Sequence, residues 1–390
     1  MSARLVLPLL SLSAVYFIFY FADANGLREL GEAAQHAGKL PGLDEPLRTY
    51  YTGLRPLDQI LTTLTIFFWP LSDGTQPGLT LHSIAFSGTF SSAWILVTLE
   101  SWRKGNAWTA AAFPAVAGLV AQVLTFALAT PLYCFLHLVC AGTSASPTAN
   151  KMRVPHGVVQ ALPHVFTVAM FVPSLLLVAP LSETMTPDLK QICIAIWQPW
   201  PAYVAVLLVL VNLVTGSSVD HGDGPSSPSS PSSNAKRTSS LRYVYAFAFA
   251  NTAVSHLVSL VIPAATVIVP SIFQTQYLEP LHPLSVFATP FPWASAAFKV
   301  STVGQGAQIF LRWDYVIGST GVLVWALSLY RSAHRAVNVQ VSLSDLLFRV
   351  VALSVLCSPV GAAVELMWER EELFLHDSDK TKKAVGSNKK

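Results

Sequence analysis

At 390 residues with 52% hydrophobic and only 12% charged side chains, the chain falls far below the roughly one-quarter charge of a soluble domain. Its solvent is therefore lipid. A formal net charge of +3 is too small to point to nucleic acid, and Cys134, Cys140, Cys193 and Cys357 lack CxxC spacing, so they read as packing residues.

In chain order, Leu5 to Phe21 is an apolar first span. Ala22-Asp23-Ala24 fits a small-x-small cleavage site, but an uncleaved span is the preferred reading. Asn25 to Arg55 is polar and reads as an interfacial loop with a short helix. Thr52 to Gly74 is the second span, framed by Asp58 and Asp73, which a helix separates by about 22 Å and so sets near opposite membrane faces. Leu79 to Leu99 is the third, ending in Glu100-Ser-Trp-Arg103. Trp108 to Cys140 exceeds one crossing and is expected to hold a single tilted or kinked span, with Pro114 and Pro131 as break points.

Val158 to Leu181 and Ile192 to Val214 give two more spans, and residues 216–240, rich in Ser and Pro, read as a flexible linker. Arg242 to Val269, Trp313 to Tyr330 and Leu343 to Val364 complete the set, with an aromatic, Pro-rich interfacial segment at 270–308. The expectation is an all-α, polytopic transmembrane helix bundle of about nine spans. It is a single integral-membrane domain over 1–390, with a basic tail over 370–390. The positive-inside rule sets that tail in the cytosol, in the endoplasmic reticulum membrane, and the N-terminus in the lumen. The loops holding Lys151, Arg153, Lys236 and Arg237 oppose this orientation. Under it, Asp58, Glu100, Asp314 and Glu365 share the cytosolic level, like the mouth of a cavity, although helix ends are also where acids are simply tolerated.

No HExxH, CxxC pair, GxxxxGK[ST] or GxSxG occurs, and no Asp-rich pair suited to Mg²⁺ and a diphosphate. No metal or cofactor is expected. His137, His164 and His256 lie in apolar runs, where a lone His more often hydrogen-bonds a neighbouring helix than does chemistry. What remains is a set of acids, amides within spans (Gln122, Gln198, Asn251) and many aromatics. Ring faces lining a pocket would attract a cationic intermediate by about 0.5–2 kcal/mol.

Several blocks carry a family likeness: TGLRPLD (52–58), FFWPLSDG (67–74), ESWRKGN (100–106), ATPLYCFLHL (129–138), WQPWPAYV (197–204), FLRWDYVIG (310–318) and VGAAVELMWERE (360–371). With them the chain resembles the fungal membrane-bound terpene cyclases of the ascochlorin/ascofuranone and macrophorin pathways. The resemblance implies a metal-independent cyclase of secondary metabolism. Its substrate would be a lipophilic prenylated small molecule, a farnesyl or epoxyfarnesyl chain on a meroterpenoid, cyclised after protonation of an epoxide or alkene. A prenyltransferase and an epoxidase would act upstream, and membrane lipid is the other partner.

The resemblance assigns no acid. Asp58 leads as proton donor, with Glu100 as partner or substitute and Asp314, between Trp313 and Tyr315, as third choice. An ion pair of Glu100 with Arg103 is an equally weighted structural reading. Trp69, Gln122, Tyr133, Gln198, Trp313 and Tyr315 are the expected substrate contacts. The alternative class is a non-catalytic transporter or receptor, which Pro-broken spans would suit.

Overall fold

The computed structural model describes residues 2–219, 231–293 and 298–387. Among them the protein is all-helical. Four helices are long and apolar enough to cross a membrane: α1 (Ala3–Ala24), α7 (His156–Val178), Lys236–Ile268 within α10 (Pro231–Ile268), and Leu343–Leu375 within α12 (Leu343–Ser387). A fifth forms if α8 (Pro187–Trp197) and α9 (Trp200–Val219), bent by 55°, count as one. Length and composition alone thus qualify four or five helices among the described residues, and about nine spans is not confirmed. Residues 220–230 of the expected linker lie outside the described residues, and α10 already begins at Pro231.

The hub is α4 (Pro77–Ser101), buried at every residue from Gly88 to Ser101. Its Gly, Ser and Thr residues let neighbouring helices close around it. Its small residues allow close approach to α10: Ser92 Oγ donates to Ala248 O at 2.7 Å, and a Cβ on Gly88 would come within 2.6 Å of Asn251 O.

Contacts at helix ends sort the elements into two ends of the bundle. Arg4 donates to Leu138 O at 2.9 Å, and Ser332 to Ser144 O at 2.9 Å, so both lie at the end that holds Glu100. At the other end Val300 N donates to Asn25 O at 3.0 Å, and a Cβ on Gly78, at the start of α4, would meet Pro280 O.

Two apolar segments double back on themselves. After Thr109 the chain enters as α5 (Pro114–Leu124), reverses at Thr125, where φ is 90°, and returns as α6 (Phe126–Cys140). Tyr133 Oη reaches Ala111 O at 2.7 Å, and Thr143 N reaches Asn106 Oδ1 at 3.2 Å, so entry and exit share the Glu100 end. The single kinked span expected over 108–140 is thus a helical hairpin. Pro114 opens α5, and Pro131 sits inside α6 without breaking it. A straight helix would set Arg349 and Glu369 about 30 Å apart, yet they pair at 2.8 Å, because α12 turns back at Ser358, where φ is 77°.

The expected second span, α3 (Arg55–Ser72), runs along the Asn25 end. Thr62 Oγ1 donates to Arg48 O at 3.3 Å, Arg48 pairs with Asp188 at 2.7 Å, and Lys190 donates to Ser72 O. The middle of α3, through Arg48, and its C-terminal end, through Lys190, are thus tied to the start of α8. Asp58 and Glu100, expected at one level, lie at opposite ends of the bundle, separated by the length of α4. Arg4 and Glu371 share one end of the bundle, so the expected placement of the N-terminus and the basic tail on opposite sides does not fit the fold.

Candidate active site

A cavity of about 310 Å³ opens between α3, α4, the tip of the α5/α6 hairpin, α7 and α11 (Val303–Ala336). That is within the usual range of small-molecule sites. Helical spacing aims its wall residues: Phe67, Phe68 and Leu71 on α3, Ser83, Phe86, Ser87 and Phe90 on α4, and Phe310 with Asp314, four residues apart, on α11. Phe126 and Trp197 complete an aromatic wall, with ring centroids 5.2 Å apart for Phe90–Phe126, 5.0 Å for Phe67–Phe310 and 5.3 Å for Phe68–Trp197.

Asp314 is the acid among the lining residues. It is 4% exposed, and its Oδ1 accepts the Ala127 N–H at 2.6 Å. The reversal at Thr125 creates this contact, because the amides at the start of a helix lack internal partners. The Phe126 amide and the Thr125 hydroxyl face the same carboxyl. Arg312 turns away, donating to the carbonyls of Ser285 and Ala288, so Asp314 has no cationic partner among the described residues. Gln122 also lines the cavity.

Asp58 lies outside this cavity, at the start of α3. It accepts from Thr52 N at 2.7 Å, Thr52 Oγ1 at 2.8 Å, Gly53 N at 3.1 Å and Tyr51 N at 3.3 Å, a turn that leads the chain into the helix. Glu100 is fully buried at the far end of α4. It pairs with Arg103 at 2.7 Å and Arg370 at 2.9 Å, while Arg103 also bonds Glu371 and Tyr245. This network joins α4, α10, α12 and, through Thr143, the chain leaving α6. His137 bonds a neighbouring helix, accepting from Trp325 Nε1 at 3.1 Å.

Of the expected substrate contacts, Gln122 alone is in the cavity wall. Trp69 is buried on the opposite side of α3 from it, with Nε1 unpartnered. Tyr133 bonds Ala111, Trp313 donates to Pro290 O at 3.1 Å, and Tyr315 Oη lies 3.4 Å from His256 Nδ1. Gln198 is buried at the α8/α9 bend, with neither amide atom partnered among the described residues. The wall residues Phe86, Phe90, Phe126 and Phe310 went unread. Their sequence signal was the four-residue spacing Phe86–Phe90 and Phe310–Asp314. Among the described residues no group of three or more His, Cys, Asp or Glu is placed to hold a metal ion.

An apolar, aromatic-walled chamber with one unpaired acid, set in a bundle of membrane-type helices, defines a class of protein that works on a hydrocarbon substrate. The comparisons agree. Residues 3–375 match the CtvD domain family, and the chain belongs to it. It is 29% identical to terpene cyclase penA of Penicillium crustosum over 94% of each chain. It is also 29% identical to terpene cyclase ctvD of Aspergillus terreus, over 94% of this chain and 97% of the relative. Terpene cyclase ascI of Acremonium egyptiacum is 28% identical, over 96% of this chain and 92% of its own. The resemblance read from the sequence therefore holds: this is a membrane protein and an enzyme of the terpene cyclase class, not a transporter. No solved structure matches the chain.

Proposed function

We propose that the protein cyclises the farnesyl or epoxyfarnesyl chain of a meroterpenoid, starting from protonation of a terminal epoxide or alkene in the aromatic cavity. The observation that carries this reading is the position of Asp314, an acid without a counter-cation in a wall otherwise built of rings and aliphatic groups. An unpaired carboxyl in such surroundings costs least when it holds its proton. Its contact with Ala127 fixes the carboxyl toward the chamber, so the proton is delivered from a set position. Ring faces then stabilise the cation as it moves along the chain, and the dry wall keeps water from capturing it early. The last cation loses a proton to a base, or is captured by a substrate hydroxyl that loses its proton, so that mass is conserved and the acid is restored. Gln122 is the polar group available to orient an oxygen of the substrate.

Asp58 and Glu100 are given structural roles, as turn acceptor and as centre of the buried ion network. The nine apolar segments are assigned six complete crossings, two hairpins that enter and leave at the Glu100 end, and α3 along the opposite end. Lys104, Lys151, Arg153, Arg237, Arg242 and Arg335 gather at the Glu100 end, which supports a cytosolic position for it and for the basic tail, in the endoplasmic reticulum membrane. A prenyltransferase, and an epoxidase where the substrate is an epoxide, act before this enzyme. Microsomes holding the protein, given a farnesylated phenol or its terminal epoxide, should form a product with more rings and the same mass. Unchanged substrate from both would refute the assignment.

A further inference from the structure

A second cavity, of about 820 Å³, lies at the Glu100 end between α4, α5, α9 and the loop before α7. It is separate from the first: Trp94 and Trp200, ring centroids 6.1 Å apart, form its floor, and Phe90 of the first chamber packs behind Trp200 at 5.7 Å. Its throat is aliphatic, from Val204, Ala205 and Leu208 of α9. Its mouth is basic. Lys104, Arg153 and Arg237 all line it, and none of the ion pairs formed among the described residues involves them. Arg103, the fourth cation in the wall, is already held by Glu100 and Glu371.

Three like charges around one opening repel each other; Arg153 and Arg237 lie close enough to interact, and Glu371, which also reaches Arg237, is already bound to Arg103. The rim carries Trp108, 95% exposed, and Phe113, 59% exposed, residues suited to headgroup depth. We propose that this cavity binds one anionic glycerophospholipid, its phosphate held by Arg153, Arg237 and Lys104 and an acyl chain in the aliphatic throat. Guanidinium pairs suit phosphate because their donors match two of its oxygens. Basic pockets between helices at the cytosolic face are where such headgroups are recognised. A soluble anion would use the mouth and leave the throat empty; the apolar depth selects a lipid. This site takes no part in the chemistry assigned to Asp314.

Native mass spectrometry of the purified full-length protein in a neutral detergent tests this. It would be incubated with equal amounts of phosphatidylinositol and phosphatidylcholine. The wild type should retain one phosphatidylinositol, at about tenfold or more over phosphatidylcholine. The double variant Arg153→Gln/Arg237→Gln should lose that preference, and Ala205→Trp, which fills the throat and leaves the charges, should lose retention of both lipids. Should the double variant fail to fold, Ala205→Trp carries the test alone. Equal retention of the two lipids by the wild type overturns the proposal. So does undiminished phosphatidylinositol in a folded variant, or displacement of the lipid by millimolar inorganic phosphate. Binding is read without turnover, so its failure leaves the cyclase reading intact.

Discussion

Three acids in this chain sit in three different environments, and environment decides what each can do. Asp58 accepts four hydrogen bonds from the turn before α3. Asp58→Asn weakens the turn that leads into α3 and should leave turnover within a few-fold; a microsomal assay normalised to protein level checks this. Glu100 is locked between two guanidinium groups with no exposure. Glu100→Gln strips that pairing from buried cations, a change of about 3–5 kcal/mol. The expected result is poor accumulation and a lower melting temperature in detergent. Normal accumulation with abolished cyclisation would instead make Glu100 a chemical group.

At the scale of elements, the hairpin tip is the piece that builds the chamber. It brings Thr125, Phe126 and the Ala127 amide to α11, which approaches so closely that a Cβ on Gly318 would lie 2.2 Å from the Phe126 ring. Gly318→Ala should therefore push that ring into the cavity, destabilise by about 1–3 kcal/mol, and lower turnover or shift the product ratio, read by chromatography of the products. The positions of the apolar segments were legible in the sequence, because hydropathy marks them whatever their direction. Their reversals were not. Thr125 and Ser358 adopt positive φ without being glycine, and tertiary contacts, not local propensity, hold them there. Reading 108–140 as one crossing hid the tip, and with it the neighbour that sets Asp314 apart. Asp58 looked stronger because it begins an apolar helix; the Thr52 turn that satisfies it depends on a backbone conformation that residue types do not reveal.

For the whole molecule, Arg4 near the start of the chain and Glu371 near its basic tail lie at one end of the bundle. With Arg4 and Glu371 at the same end, glycosylation tags fused before Met1 and after Lys390 should both remain unmodified, whereas a tag in the 270–290 segment should be modified. Modification of the N-terminal tag alone would contradict the six-crossing arrangement. The last turn of α9 packs beside the start of α7, at the Glu100 end, away from the first cavity. Replacing residues 220–230 with a Gly/Ser linker of equal length should leave turnover within a few-fold, and loss of activity in a protein that accumulates normally would argue otherwise.

The most direct test of the account compares Asp314→Asn with Asp58→Asn and Glu100→Gln in microsomes supplied with the farnesylated phenol or its epoxide. Each variant would be scored as ring-closed product per unit of membrane-inserted protein. An amide keeps the shape of Asp314 and its contact with Ala127 but has no comparably acidic proton. Cyclisation by Asp314→Asn should fall by about a hundredfold or more, within the 10²–10⁴ range of general acid catalysis, while the other two retain activity in proportion to the protein that folds. Near-normal turnover by a well-folded Asp314→Asn would contradict the account.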